Sequence, residues 1–197
     1  MWRQFGVGLR RGQQHFASGE LLPISIQLLL LLAVVIGGAF DLRSRRIPNW
    51  VTVPAAALGL LLNLGLSGVP GLTSGLLGLG LAFLIYFPLF LLRGMGAGDV
   101  KLMGAVGAIV GPGHCLWLIV IGVLISAAAG LIVVISKGRL ARTLTNVGRM
   151  VSELIHFRPP YAREEYFDVA AKGAITMPHG TAVAVGTILY LAILHFR

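Results

Sequence analysis

Leu21–Phe40 reads LLPISIQLLLLLAVVIGGAF, and Asp41-Leu42-Arg43-Ser44-Arg45-Arg46-Ile47-Pro48-Asn49 follows at once. Twenty uncharged, mostly apolar residues are enough for one helix to span the hydrocarbon core of a bilayer. The run therefore predicts a membrane helix that ends on a carboxylate and then meets three arginines. A second acid, Asp99, opens another apolar run, VKLMGAVGAIVG. The other five carboxylates, Glu20, Glu153, Glu164, Glu165 and Asp168, lie outside every strongly apolar stretch. Ionisable groups at membrane spans are costly and usually functional, so Asp41 and Asp99 are the first candidates for chemistry.

The whole chain supports that reading. Of its 197 residues, 56% are hydrophobic and 12% charged, and the mean hydropathy is +0.87. A soluble domain carries about twice that share of charge. Apolar spans recur to the C-terminus, which excludes a lone secretory signal. Six are expected, at about 22–40, 51–67, 72–92, 98–112, 115–136 and 177–195. The predicted fold is all-α: a polytopic membrane protein of six transmembrane helices over 21–197, with an N-terminal extension over 1–20 and a cytoplasmic loop over 137–176. Breaks are expected at Ser67–Gly71 and Gly111–Gly113, and distortions at Pro54 and Pro88.

The net charge of +9 does not call for nucleic acid, because the cations fall in alternate loops. Arg43, Arg45 and Arg46 follow the first span. Arg93 and Lys101 flank the third turn, and Lys137, Arg139, Arg142, Arg149, Arg158, Arg163 and Lys172 follow the fifth span. The loops after spans two and four contain neither Lys nor Arg. By the positive-inside rule the basic loops are cytoplasmic, which brings Asp41 and Asp99 to the same face. Arg3, Arg10 and Arg11 in 1–20 run against this parity. An interfacial amphipathic stretch, or a start codon upstream of the true one, would reconcile them.

Two segments carry the chemistry. In Gly96-Ala97-Gly98-Asp99-Val100-Lys101-Leu102, small residues allow close backbone approach and open a helix at Asp99. In Asp41…Ile47-Pro48-Asn49, the acid stands at the other, C-terminal end of its helix, where the dipole is opposite in sign. Two carboxyls that share one proton are what an aspartic protease requires. Lys101 is two positions from Asp99, so it points elsewhere on a regular helix and is expected to snorkel to the interface. His114, His156, His179 and His195 lack metal-ligand spacing, and the single Cys115 reads as a small buried residue; no metal and no cofactor are expected. Two other readings compete. One is a small proton-coupled transporter using the acids as a relay; the other is a scaffold of glycine-packed helices such as those expected at Gly71/Gly75 and Gly107/Gly111.

Taken together, Gly96-x-Gly98-Asp99-x-Lys101-Leu102 and the upstream Asp41-x5-Ile47-Pro48-Asn49 resemble the G-x-G-D membrane aspartyl proteases. They are similar to the type IV prepilin peptidases and the archaeal preflagellin peptidases, in motif order and number of spans from about Leu21 onward. Met177-Pro178-His179-Gly180 resembles the family's Pro-x-Gly turn. The resemblance implies a peptidase that removes the basic leader of prepilins and possesses Asp41 and Asp99 as its catalytic pair. Ile47, Pro48, Asn49, Gly96, Gly98, Lys101, Pro178, His179 and Gly180 would shape the site or touch substrate. The implied partners are prepilins, docked by their N-terminal apolar helix in the lipid bilayer, together with pilus assembly machinery. Larger relatives carry a zinc-binding insertion with paired C-x-x-C motifs, which one cysteine cannot supply. The short form is similar to the peptidases of Flp/Tad-type pilus systems and leaves N-methylation of the new N-terminus open.

Overall fold

In the computed structural model the described residues are 22–92, 95–138 and 179–196, with isolated positions between 140 and 152. Residues 1–21, Arg93, Pro178 and most of 137–176, to which the sequence assigns an extension, a loop cation, a site position and a cytoplasmic loop, lie outside them. The described residues form four helices and no strand: α1 (Ile24–Ser44), α2 (Asn49–Leu91), α3 (Ala97–Ser136) and α4 (His179–His195). The first three are long and apolar enough to cross a membrane, and α4 is a shorter apolar helix. The chain is a helical, multi-pass membrane protein.

α2 and α3 contain 43 and 40 residues. At 1.5 Å of rise each would be about 60 Å long if straight, roughly twice the hydrocarbon core. Neither is straight. Gly68 (φ 64°, ψ −149°) interrupts α2 and Gly111 (φ 73°, ψ 177°) interrupts α3. Both take dihedrals open to glycine and costly for side chains, and both fall inside the two breaks expected from sequence. Pro54 and Pro88 keep helical dihedrals, so the turn in α2 is made by Gly68.

Contacts show that both helices double back. Gly98, at the start of α3, lies against Ile47, and Tyr86, late in α2, bonds His179 of α4. Ser126, late in α3, bonds the same His179. Asp99 and Ser126 are therefore at one level of the bundle, although 27 residues of straight helix would part them by about 40 Å. At the opposite end, Tyr190 of α4 bonds His114, just past the Gly111 turn, at 2.7 Å. The molecule thus has a site end, near Asp41, Tyr86, Asp99 and Ser126, and a far end near Gly68 and Gly111.

The first half of α3 is the spine. Leu102 to Gly111 are all buried, walled by α1, α2 and α4. The tightest crossing is Gly78 against Gly107, where a Cβ on either residue would run into the other's backbone. Without those atoms the backbones can approach and gain dispersion contacts, the main source of helix association in lipid. The turn at Gly111-Pro112 removes hydrogen-bond donors from the preceding carbonyls, since proline has no N–H. Buried Asn63 supplies one instead, its Nδ2 donating to Ala108 O and Ile109 O at 3.0 Å each. Large apolar side chains such as Leu28, Leu61, Leu84 and Leu124 face outward, as expected of a bundle solvated by lipid.

Candidate active site

Asp41 lies in the last turn of α1, which runs four residues past the expected end at 40. The helix stops at Arg45, held in the left-handed region (φ 54°, ψ 24°) with its N–H bonded to Asp41 O at 3.0 Å. A non-glycine residue in that conformation costs about 1 kcal/mol, and here it turns the chain sharply back. Phe40 and Trp50 meet edge-to-face across the turn, 5.5 Å between centroids. Ile47 follows two residues after Arg45, in the non-helical stretch 46–48 between α1 and α2. Pro48, at φ −73° and ψ 148°, forms the N-cap of α2.

Ile47 is where the two motifs interlock. It is buried, and a Cβ on Gly98 would lie 3.2 Å from Ile47 Cβ. A Cβ on Gly180 would lie 3.1 Å from Ile47 Cδ1 and 3.1 Å from Asp41 Oδ2. The isoleucine is thus a wedge between α3 and α4 at two positions where a side chain would be tightly fitted. A second tie lies nearby: Lys101 Nζ donates to Asn49 Oδ1 at 2.9 Å. The exposed ammonium of Lys101 is thus held by the Ile-Pro-Asn segment.

Both aspartates converge on the first turn of α4. Thr181 N–H donates to Asp41 Oδ2 at 3.4 Å. Gly180 packs directly against Asp41, where an added Cβ would lie 3.1 Å from Oδ2, and it is near enough to Asp99 to act on both carboxyls electrostatically. Asp99 stands beside Gly96, the N-cap of its own helix, where a Cβ would lie 3.3 Å from Oδ2. The start of α4 therefore lies beside two carboxyls carried by different helices. Asp41 is 7% exposed, while Asp99 is half-buried and Gly96 beside it is exposed, so the pair opens on the Asp99 side. A pair in this arrangement can hold one shared proton and activate a water for attack on a polarised carbonyl.

His179, a candidate from sequence, has both ring nitrogens engaged by neighbouring helices. Nδ1 meets Ser126 Oγ at 2.8 Å and Nε2 meets Tyr86 OH at 3.1 Å. Tyr86, Ser126 and Thr181 were not picked out from the sequence. The available signal was weak but real, since a hydroxyl inside an apolar span has to find a partner. Among the described residues no three His, Cys, Asp or Glu side chains are grouped as metal ligands.

The type IV leader peptidase family profile matches residues 28–135, from inside α1 to the end of α3. That stretch includes both aspartates, Ile47-Pro48-Asn49 and Gly96 to Lys101, but not α4. A Neisseria gonorrhoeae protein named prepilin leader peptidase/N-methyltransferase is 34% identical over 123 residues, 59% of this chain and 43% of the relative. A protein of the same name from Xanthomonas campestris pv. campestris is 33% identical over 118 residues, 57% and 41% of the two chains. The matches therefore cover less than half the length of these relatives. No solved structure gives a significant match. With more than half of its length matched, including both acidic motifs, the chain belongs to the type IV leader peptidase family.

Proposed function

We propose that this chain is a membrane aspartic endopeptidase that removes the basic leader from prepilins of the Flp/Tad type, and from pseudopilins built alike, at the cytoplasmic face of the bacterial inner membrane. The observation that carries the proposal is the approach of Asp41 and Asp99, from two helices, to one another and to the first turn of α4. One carboxylate takes a proton from water while the other, protonated, donates to the scissile carbonyl. The half-buried Asp99 side is where the junction enters, and the substrate's N-terminal apolar helix lies in the bilayer beside the bundle. The chemistry needs no metal and no cofactor.

Six spans over 21–197 support this placement. α1, α4 and the two halves each of α2 and α3 would each cross once. The site end then carries Arg43, Arg45, Arg46 and Lys101, all exposed, while the turns at the far end have no cation, as the positive-inside rule asks of a cytoplasmic site. A basic leader has no obvious attraction to those cations, so they are read as topology signals rather than as a docking surface. Residues 1–20 are an extension outside this domain, and 137–176 a cytoplasmic loop. The names of the two relatives support the peptidase activity; N-methylation stays open for this chain.

Co-expression with a Flp-type prepilin tests the proposal by the precursor's size shift. Cleavage by the parent chain, abolished in Asp41→Asn and in Asp99→Asn variants that still insert, is the expected result. Cleavage that survives either substitution would sink the dyad. Proton or solute movement in liposomes without any proteolysis would put the transporter reading in its place.

A further inference from the structure

Gly180 has no side chain with which to hold its own backbone in place. Its two neighbours do the holding, each toward a different part of the bundle. Thr181 Oγ1 donates to Gly38 O of α1 at 3.1 Å, on the same helix as Asp41. His179 reaches the other way: Tyr86 OH from the second half of α2 bonds Nε2, and Ser126 Oγ from the second half of α3 bonds Nδ1. His179 is 8% exposed and Tyr86 1%, and their rings pack at 5.6 Å between centroids. Both ring nitrogens of a buried imidazole are thereby engaged, leaving it no freedom to rotate. A buried polar network fully satisfied in this way rigidifies its surroundings. The next residue is Gly180, packed against Asp41, and after it Thr181 gives its N–H to Asp41 Oδ2.

We propose that Tyr86, His179 and Ser126 are positioning residues for the proteolytic site, locking the first turn of α4 so that the Gly180–Thr181 backbone stays against Asp41 of the Asp41–Asp99 pair. This rests on the reading of that pair as the catalytic dyad. None of the three touches substrate or the reacting atoms in this account. Tyr86 and Ser126 act on His179, and His179 acts through the backbone it shares with Gly180. The consequence is specific: loosening the lock leaves substrate binding intact and slows the chemical step, because the error is in donor placement. Misplacements of about 1 Å can cost up to 100-fold in rate, and one lost hydrogen bond at one remove is expected to cost about tenfold.

The molecule contains its own control. At the far end, His114 and Tyr190 form another buried histidine–tyrosine bond, at 2.7 Å. Tyr190→Phe removes a hydrogen bond of the same type from the same bundle without approaching the carboxyls. The test compares Tyr86→Phe, Ser126→Ala and Tyr190→Phe in the full chain, purified from membranes, using the prepilin of the co-expression assay. Steady-state kinetics and thermal melting are read for each.

For Tyr86→Phe and for Ser126→Ala, kcat is expected to fall about tenfold with KM within twofold of the parent. Tyr190→Phe is expected to keep kcat within twofold, whatever its effect on melting. Parental kcat in Tyr86→Phe, a loss carried by KM, or an equal loss of kcat in Tyr190→Phe would each overturn the proposal. Should Ser126→Ala fail to insert, Tyr86→Phe decides alone, since it keeps the ring and removes one oxygen. Asp41→Asn and Asp99→Asn are assayed alongside. Residual cleavage in either brings down the dyad, and with it this inference. Inactive aspartate variants beside a fully active Tyr86→Phe bring down the positioning role only.

Discussion

Asp41 and Asp99 reach the same end of the bundle from unlike positions. Asp99 stands at the start of α3, where unsatisfied N–H groups converge, beside Gly96 of its own helix. Asp41 stands in the last turn of α1, where the backbone offers carbonyls instead. Its backbone donor comes from the far side of the sequence, Thr181 of α4. The G-x-G-D segment is therefore partly self-sufficient, whereas the Asp41 segment is completed by a helix that begins 138 residues later. Burial follows the same division, with Asp41 enclosed and Asp99 left half-open. An asymmetric pair can give its two carboxyls different duties, one as base and one as acid, without relying on symmetry between identical lobes.

The most direct way to break the comparison is to remove each carboxyl in turn. Asp41→Asn and Asp99→Asn keep shape and hydrogen-bonding capacity but abolish proton sharing. Each should lower kcat on the order of 10³-fold or more, and the double variant should lose little further activity, because groups that act as a unit are non-additive. The parent chain's rate should fall on both acid and alkaline sides of its optimum, as expected of a pair that works with one proton between two sites. Single-turnover cleavage of a prepilin across pH checks both statements.

Gly180→Ala sharpens the contrast, because it acts on the element that Asp41 depends on most. The added Cβ would lie 3.1 Å from Asp41 Oδ2 and 3.1 Å from Ile47 Cδ1. Both contacts are tighter than ordinary packing, so the carboxyl or the helix start has to give by a few tenths of an ångström. A loss of about 100-fold in kcat is expected, with KM little changed. The parallel substitution Gly96→Ala places a Cβ 3.3 Å from Asp99 Oδ2 at an exposed position with room to relax, and should cost far less. Equal losses in the two variants would mean that the two carboxyls are equally dependent on their surroundings.

How much of this was legible beforehand also divides along the two segments. The apolar runs, the turns near Gly68 and Gly111 and the isolation of Asp41 and Asp99 are matters of local composition, and composition is what a sequence displays. The wedge of Ile47 between Gly98 and Gly180 was not legible, because it depends on three separate segments meeting. Nor was the bonding of His179 to Tyr86 and Ser126, because those partners come from α2 and α3. The close approach of Gly78 and Gly107 shows the same limit. Small residues at helical spacing announce that a helix is to be approached, but not by which partner.

Ile47→Ala tests the interlock itself. Removing a buried isoleucine side chain costs about 2–4 kcal/mol when the cavity does not collapse. Here the site end is partly open, so the lower part of that range is expected, read as a fall in melting temperature. Activity should drop about tenfold, as α1, α3 and α4 lose their common spacer. Ile47→Val, which keeps the branched Cβ against Gly98, should recover most of both losses. A variant that melts lower yet cleaves normally would show that Ile47 supports the fold without setting the distance between the carboxyls.

The smallest effect belongs to the tie between Asn49 and Lys101. It joins the two motifs at an exposed position, through one charge-assisted hydrogen bond of 2.9 Å. Solvent competes for both partners, so each single alanine variant should change stability by less than about 1 kcal/mol. Its coupling is the informative quantity. In a double-variant cycle, Asn49→Ala and Lys101→Ala should show an interaction of about 0.5 kcal/mol, and the coupling should extend to cleavage if the tie also steadies the Asp99 end. Lys101→Arg keeps a cation but changes its reach and geometry, and Lys101→Met keeps the stem without the charge. Should Lys101→Met retain parental stability while losing substrate affinity, the ammonium serves the substrate and its bond to Asn49 is only a resting place. If instead the cycle couples and KM is unmoved, the lysine belongs to the scaffold, and the two acidic segments are joined at their surface as well as through Ile47.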